Sequence, residues 1–168
     1  MSLKKENKSG KRNYLTGKEI RAIAKENAKV MKRLEAYKYR KAEESEYLTQ
    51  MNNDENILEI EDLHTYFFTE QGVVKAVNGV SIDVPKNMTV GIVGESGCGK
   101  SVTSMSVMRL LQGPQGQIYS GKIRFKAIEQ DGTEKVYDIA KMPMSDIYKI
   151  RGNQIAMMFP LSLKQAKP

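Results

Sequence analysis

The chain has 168 residues, 40% of them hydrophobic and 28% charged, with a formal net charge of +7. That length points to one domain with at most an appendage, the single cysteine excludes an internal disulfide, and no run approaches the roughly 18 apolar residues of a membrane span. The excess charge is local: residues 1–50 hold 14 Lys/Arg against 7 Asp/Glu, whereas residues 51–168 hold 13 of each.

Residues 1–15 are polar and basic, a composition that predicts no stable element, and no apolar segment of signal-peptide type follows them. Thr16 to Glu19 reads as a capping box, and Ile20, Ile23, Ala24, Asn27, Met31 and Leu34 then recur at helical spacing. The pattern predicts a helix over 17–45. Its apolar stripe is thin and interrupted by Asn27, so three uses stay open: a solvated helix docked on the domain or a partner, contact with an anionic membrane surface, or contact with nucleic acid. Residues 46–56 lose the period. A boundary there divides the chain into a basic extension, 1–52, and a globular part, 53–168.

Ile57 to Leu63 alternates apolar and acidic residues as a half-exposed strand does, and it leads into the aromatic cluster Tyr66, Phe67 and Phe68. A turn at Glu70 to Gly72 opens a second strand from Val73 to Val84. Asn87 tolerates the left-handed conformation of a tight turn after Pro85. Met88 to Val93 is almost wholly apolar, which predicts a strand covered on both faces. A helix from Lys100 to Leu111 should then turn Val102, Met105, Met108 and Leu111 towards the sheet, ending at Gly113 to Gly116.

Between that strand and that helix stand Gly94, Glu95, Ser96, Gly97, Cys98, Gly99, Lys100 and Ser101, the pattern G-x-x-x-x-G-K-[ST] of a phosphate-binding loop. The spacing has a physical reason. Backbone N–H groups can wrap a triphosphate only where side chains do not obstruct and positive φ is accessible, which Gly94, Gly97 and Gly99 supply. The following helix aims unpaired N–H groups at the same anion, worth about 0.3–2 kcal/mol, too little to hold a nucleotide alone. Lys100 adds a full charge for the β- and γ-phosphates, and Ser101 offers a hydroxyl to Mg²⁺.

Further on, 121–125 and 135–139 predict a hairpin around Asp131-Gly132, 144–151 a short amphipathic helix, and 154–159 a second buried strand. The last nine residues, from Pro160, show no period.

These residues resemble one family. The strand pair with its aromatic cluster, Gly94 to Ser101, Ser120 to Ile123 and Arg151 to Phe159 look like the first half of the ATP-binding subunit of an ABC transporter, over roughly 57–159. Gly72 to Ser81, Gly99 to Ser104 and the Arg-Gly-x-x-Ile-Ala run at 151–156 are similar to the dipeptide and oligopeptide importers. The resemblance implies an α/β P-loop NTPase core of ABC type with an antiparallel β subdomain, cut before the helical subdomain and preceded by the N-terminal helix. It implies ATP and Mg²⁺ as cofactors, held by Gly94 to Ser101 with Val102 following, Ser101 on the metal, and adenine stacked best on Phe67, with Tyr66 and Phe68 as competitors. It also implies transmembrane permease subunits and a second ATP-binding subunit as partners, at the cytoplasmic face of the membrane, with no nucleic acid.

The sequence departs from the family as well. Where a glutamine sensing the γ-phosphate should follow Phe159, the chain has Pro160, and Gln165 comes five residues late. The signature motif, Walker B acids and switch histidine have no counterpart, and the sole histidine, His64, reads as an ordinary strand residue. Expected chemistry is therefore phosphate and Mg²⁺ binding, with hydrolysis in doubt and no catalytic residue assigned. The change at Pro160 is expected to mark a truncation, a frameshift or a gene fragment. Two alternatives follow: a non-enzymatic interaction protein, or a basic binder of nucleic acid or membrane surfaces through residues 1–50.

Overall fold

A computed structural model describes residues 15–158, together with the pairs Lys5–Glu6 and Arg12–Asn13. Those pairs form two-residue strands β1 and β2, joined antiparallel, where composition predicts no stable element. Helix α1 spans Gly17–Lys38 and starts as expected, since Glu19 Oε2 accepts the Thr16 N–H at 2.8 Å and Thr16 Oγ1 accepts the Glu19 N–H at 3.3 Å. It stops at Lys38, short of the expected 45. Arg40 turns the chain there: its guanidinium lies 3.7 Å from the Tyr37 ring centroid and donates to the Tyr37 and Lys141 carbonyls. Asn27, the break in the apolar stripe, is a docking residue. It is buried, and its Nδ2 donates to the carbonyls of Thr69 at 2.7 Å and Gly72 at 3.2 Å.

After a single 3₁₀ turn at Glu44–Glu46, strands β3 (Leu48–Thr49), β4 (Asn56–Thr69), β5 (Gly72–Pro85), β6 (Gly116–Ile128) and β7 (Glu134–Asp138) build one sheet in the order β3-β7-β6-β4-β5. Every neighbouring pair is antiparallel. The Asp131-Gly132 turn joins β6 to β7 as its chemistry predicts, with Gly132 at φ 84°. Residues 39–55, across the expected boundary, are tied to this sheet: Leu48 pairs with Tyr137, Tyr47 is buried, and Glu59 accepts the N–H groups of Asn52 and Asn53. Mid-strand, β4 bulges at Asp62 (φ 47°). Only glycine fits opposite, because a Cβ on Gly121 would lie 2.5 Å from the Asp62 carbonyl oxygen.

The core packs Leu63, Ile123 and Ala127 of the sheet, and Ile139 just beyond β7, against Val107 of α2 (Lys100–Val107) and Met144, Ile147 and Ile150 of α3 (Met144–Ile150). Helix α2 ends before the expected Leu111 but largely keeps the expected face: Val102 packs on the core, and Met108 and Leu111, just past the helix, are buried. Its buried residues are Thr103, Ser106 and Val107, while Met105 is half-buried. Small hydroxyls seat it close to the sheet, with Ser106 Oγ 2.8 Å from Thr65 Oγ1 and both residues fully buried.

Two expected strands do not form. Residues 88–93 run unpaired, with Met88 67%, Val90 40%, Ile92 45% and Val93 93% exposed. Residues 154–158 make one isolated parallel bridge, Arg151 to Ile155, and Met158 is 94% exposed. Both segments have the composition of central parallel strands, which form only between neighbours, and among the described residues no strand flanks either one. The expectations placed on Phe159, Pro160 and Gln165 lie outside the described residues.

Candidate phosphate-binding site

The turn that delivers the chain to the loop is the predicted one. Asn87 adopts φ 59°, and the Lys86 N–H is taken by the Glu55 carbonyl at 2.8 Å. From there residues 88–95 cross an exposed edge and enter Gly94 to Ser101. Gly97 (φ 83°) and Gly99 (φ 98°) hold left-handed backbone, where a side chain would be strained. Their surroundings differ. A Cβ on Gly99 would lie 2.5 Å from the Ala76 carbonyl oxygen, so the loop passes directly against β5, whereas a Cβ on Gly97 would meet open space. Gly94 is also closed to a side chain, its would-be Cβ lying 2.8 Å from Cys98 Sγ.

Gly99 is the N-cap of α2 and supplies no side-chain cap, which leaves the first N–H groups of the helix without a side-chain partner. Beside them is a cavity of about 510 Å³ lined by Ala76, Ser96, Gly97, Gly99, Lys100, Ser101 and Val102. Lys100 is folded across the loop: its Nζ donates to the carbonyls of Gly94 at 2.6 Å and Glu95 at 2.7 Å and lies 3.5 Å from Cys98 Sγ. Glu95, Ser96, Cys98 and Ser101 are exposed, and Val102 packs on the core. The donor set fits a polyphosphate: unpaired helix N–H groups, one ammonium, one hydroxyl for a hard cation, and a glycine cradle open on its Gly97 side.

The aromatic cluster is divided by the pleat. Tyr66 and Phe68 are buried against Tyr119 of β6, with ring centroids 5.0 Å and 6.4 Å away, and the Tyr66 hydroxyl donates to Asn78 Oδ1 at 2.9 Å. Phe67 lies on the other side, half-buried over Gly116, where a Cβ would come within 2.8 Å of its ring. His64 contacts Asp62, Tyr66 and Asn78 along the sheet, as an ordinary strand residue.

The residues that brace the loop helix from behind carry little sequence signal. Arg109 (φ 52°) is buried just past α2, and its Nη1 donates to the carbonyls of Ile139, Ala140 and Met142. Burial pushes its guanidinium pKa down to about 10, against the opposing attraction of Asp138. Arg151 Nη2 in turn donates to the Met108 and Arg109 carbonyls at 2.6 and 3.2 Å. Arg109 thus fixes the C-terminal end of α2 to the segment between β7 and α3, and Arg151 fixes it to the end of α3.

Residues 77–159 match the model of a family described as ABC transporter. The chain is 38% identical over 112 residues to the oligopeptide transport ATP-binding protein AppD of Bacillus subtilis, covering 67% of this chain and 31% of that protein. It is 42% identical over 105 residues to the dipeptide transport ATP-binding protein DppD of B. subtilis, covering 62% and 29%. With the dipeptide transport ATP-binding protein DppD of Lactococcus lactis it shares 39% over 106 residues, 63% of this chain and 28% of the relative. The chain thus spans less than a third of the length of the relatives it matches.

Proposed function

We propose that the chain, which matches the ABC transporter family over residues 77–159, binds the phosphates of Mg-ATP through Gly94 to Ser101 as part of a nucleotide-binding domain. Helix α1 is laid on it through Asn27, and β3 already belongs to its sheet by pairing with β7. The observation that carries this reading is the open cradle at the start of α2, with Gly97 and Gly99 at positive φ beside Lys100 and a cavity of about 510 Å³.

In this reading the N–H groups of the loop and of the first turn of α2 receive the phosphates. Lys100 Nζ exchanges the carbonyls of Gly94 and Glu95, its present acceptors, for β- and γ-phosphate oxygens. Ser101 gives its hydroxyl to Mg²⁺, which supplies charge neutralisation when bound. Phe67 offers the adenine a face, because Tyr66 and Phe68 are already engaged with Tyr119. The names of its relatives, oligopeptide and dipeptide transport ATP-binding proteins, support a role in peptide transport; the reading adds transmembrane permease subunits and a second ATP-binding subunit as partners at the cytoplasmic face of the membrane.

Titration with a fluorescent ATP analogue in the presence of Mg²⁺ tests the reading. A hydrogen bond to a charged group contributes about 1.5–3 kcal/mol, so Lys100→Ala should weaken binding by roughly 10- to 100-fold. Equal affinity of wild type and variant, both folded by circular dichroism, would sink it.

A further inference from the structure

Helix α1 is docked by one face. Asn27 and Lys38 are buried there, with Ile20, Ile23, Met31 and Leu34 half-buried around them. The opposite face is cationic. At about 100° per residue, Lys18, Arg21, Lys25, Lys29, Lys32 and Arg33 fall within an arc of about 120° and all six are exposed. Among the described residues none of the six enters an ion pair. The acids of α1 are placed elsewhere: Glu19 closes the capping box, Glu35 accepts from Gln117 Nε2, and Glu26 lies beyond the edge of the arc. The helix runs out into Tyr39, 64% exposed.

We propose that this face of α1 is a docking surface for an anionic lipid bilayer, with the helix lying flat and its row of cations against the headgroups. The row from Lys18 to Arg33 is about 22 Å long at 1.5 Å per residue, so a helix lying flat would set all six cations against a plane of charge. Between the cations stand only the small Ala22 and Ala36, so the attraction is electrostatic and superficial, without insertion of an apolar wedge. Tyr39 at the end of the row is a residue type suited to the headgroup level. The preference for lipid over other polyanions rests on the proposed role beside a membrane. The face itself lies outside residues 77–159, which match the family.

Cosedimentation of the full chain with vesicles tests the proposal, using phosphatidylcholine alone and an equal mixture with phosphatidylglycerol, at low and high salt. The expected result is binding to the mixed vesicles at low salt, loss at high salt, and none to phosphatidylcholine. The quadruple variant Lys18→Glu, Arg21→Glu, Lys25→Glu, Lys29→Glu should lower the partition coefficient at least about a hundredfold, at about fivefold per lost cation. If that variant loses helix content by circular dichroism, the milder pair Lys25→Gln, Lys29→Gln decides, with a drop of about 25-fold expected. Retention of wild-type partitioning by a folded variant overturns the proposal. So does binding to single-stranded RNA without binding to the mixed vesicles, which would assign the face to nucleic acid. The ATP analogue should bind the quadruple variant as it binds wild type; failure of wild type to bind it would remove the nucleotide reading and leave the vesicle result standing.

Discussion

The antiparallel sheet and the segments around the phosphate loop are built from similar residues and end in opposite states. In β4 and β6, Ile60, Leu63, Ile123 and Ala127 are buried; in 88–93, Val90, Ile92 and Val93 are exposed. Connectivity separates them. The pairs β4–β5 and β6–β7 close through short turns and β4–β6 through one excursion, so each covers its neighbour within this chain. A parallel strand needs crossover connections and partners distant in sequence. Apolar content therefore measures the demand for burial, and topology decides whether the described residues meet it.

The largest expected effect lies inside the sheet. Glu59 is buried beside Arg124, its Oε2 3.4 Å from Nη1. Burial alone would raise its carboxyl pKa, but the N–H groups of Asn52 and Asn53, the Asn56 side chain and Arg124 outweigh it and hold the carboxyl below its ordinary range. Arg124 keeps Glu61 as a second partner, but Glu59→Ala also strands the Asn56 amide and the Asn52 and Asn53 N–H groups, and it should lower unfolding stability in urea by roughly 3–5 kcal/mol. The pH dependence has a fixed sign. A depressed folded-state pKa stabilises above the unfolded value of about 4.3, and the contribution is lost as pH falls through the lower folded value. Wild-type stability should thus fall on acidification below about pH 4 more steeply than that of Glu59→Ala. Parallel pH curves would mean that the carboxylate carries no such role.

A smaller effect is expected where the two regions meet. Ser106→Ala leaves the Thr65 hydroxyl, fully buried, without its 2.8 Å partner. An unsatisfied buried hydroxyl costs about 1–3 kcal/mol, and the urea midpoint should shift accordingly with the slope unchanged. A null effect would mean that α2 is held by Val107 and the Arg109 and Arg151 bonds alone.

The sequence carried most of the local chemistry. Thr16 and Glu19, Asn87, and Asp131-Gly132 each act through backbone groups a few residues away, and each is found where its pattern places it. The glycine positions of the loop were legible for the same reason. What stayed illegible depends on distant partners. Asn27 reads as a defect in a stripe until the Thr69 and Gly72 carbonyls are placed opposite it. Arg109 reads as one more charge at a helix end, yet it is buried on the carbonyls of Ile139, Ala140 and Met142. The seating of α2 had the same cause: its period marks Val102, Met108 and Leu111, which do pack inward, whereas Ser106 gains its place only from the Thr65 hydroxyl on β4.

The smallest expected effect tests the exposed region directly. Ile92 has the composition of a core strand and is 45% exposed, beside a groove of about 370 Å³ shared with Ile82, Val84 and Met157. Surface substitutions away from special features stay within about 0.5 kcal/mol, so Ile92→Asp should leave the urea midpoint nearly unchanged in the isolated chain. In a parallel sheet with strands on both sides, the same aspartate would be a buried, unpaired charge, costly enough to prevent assembly. A loss well above 0.5 kcal/mol in the isolated chain would show that 88–93 is already covered in solution, for instance by self-association, and the contrast between the two regions would then describe the monomer alone.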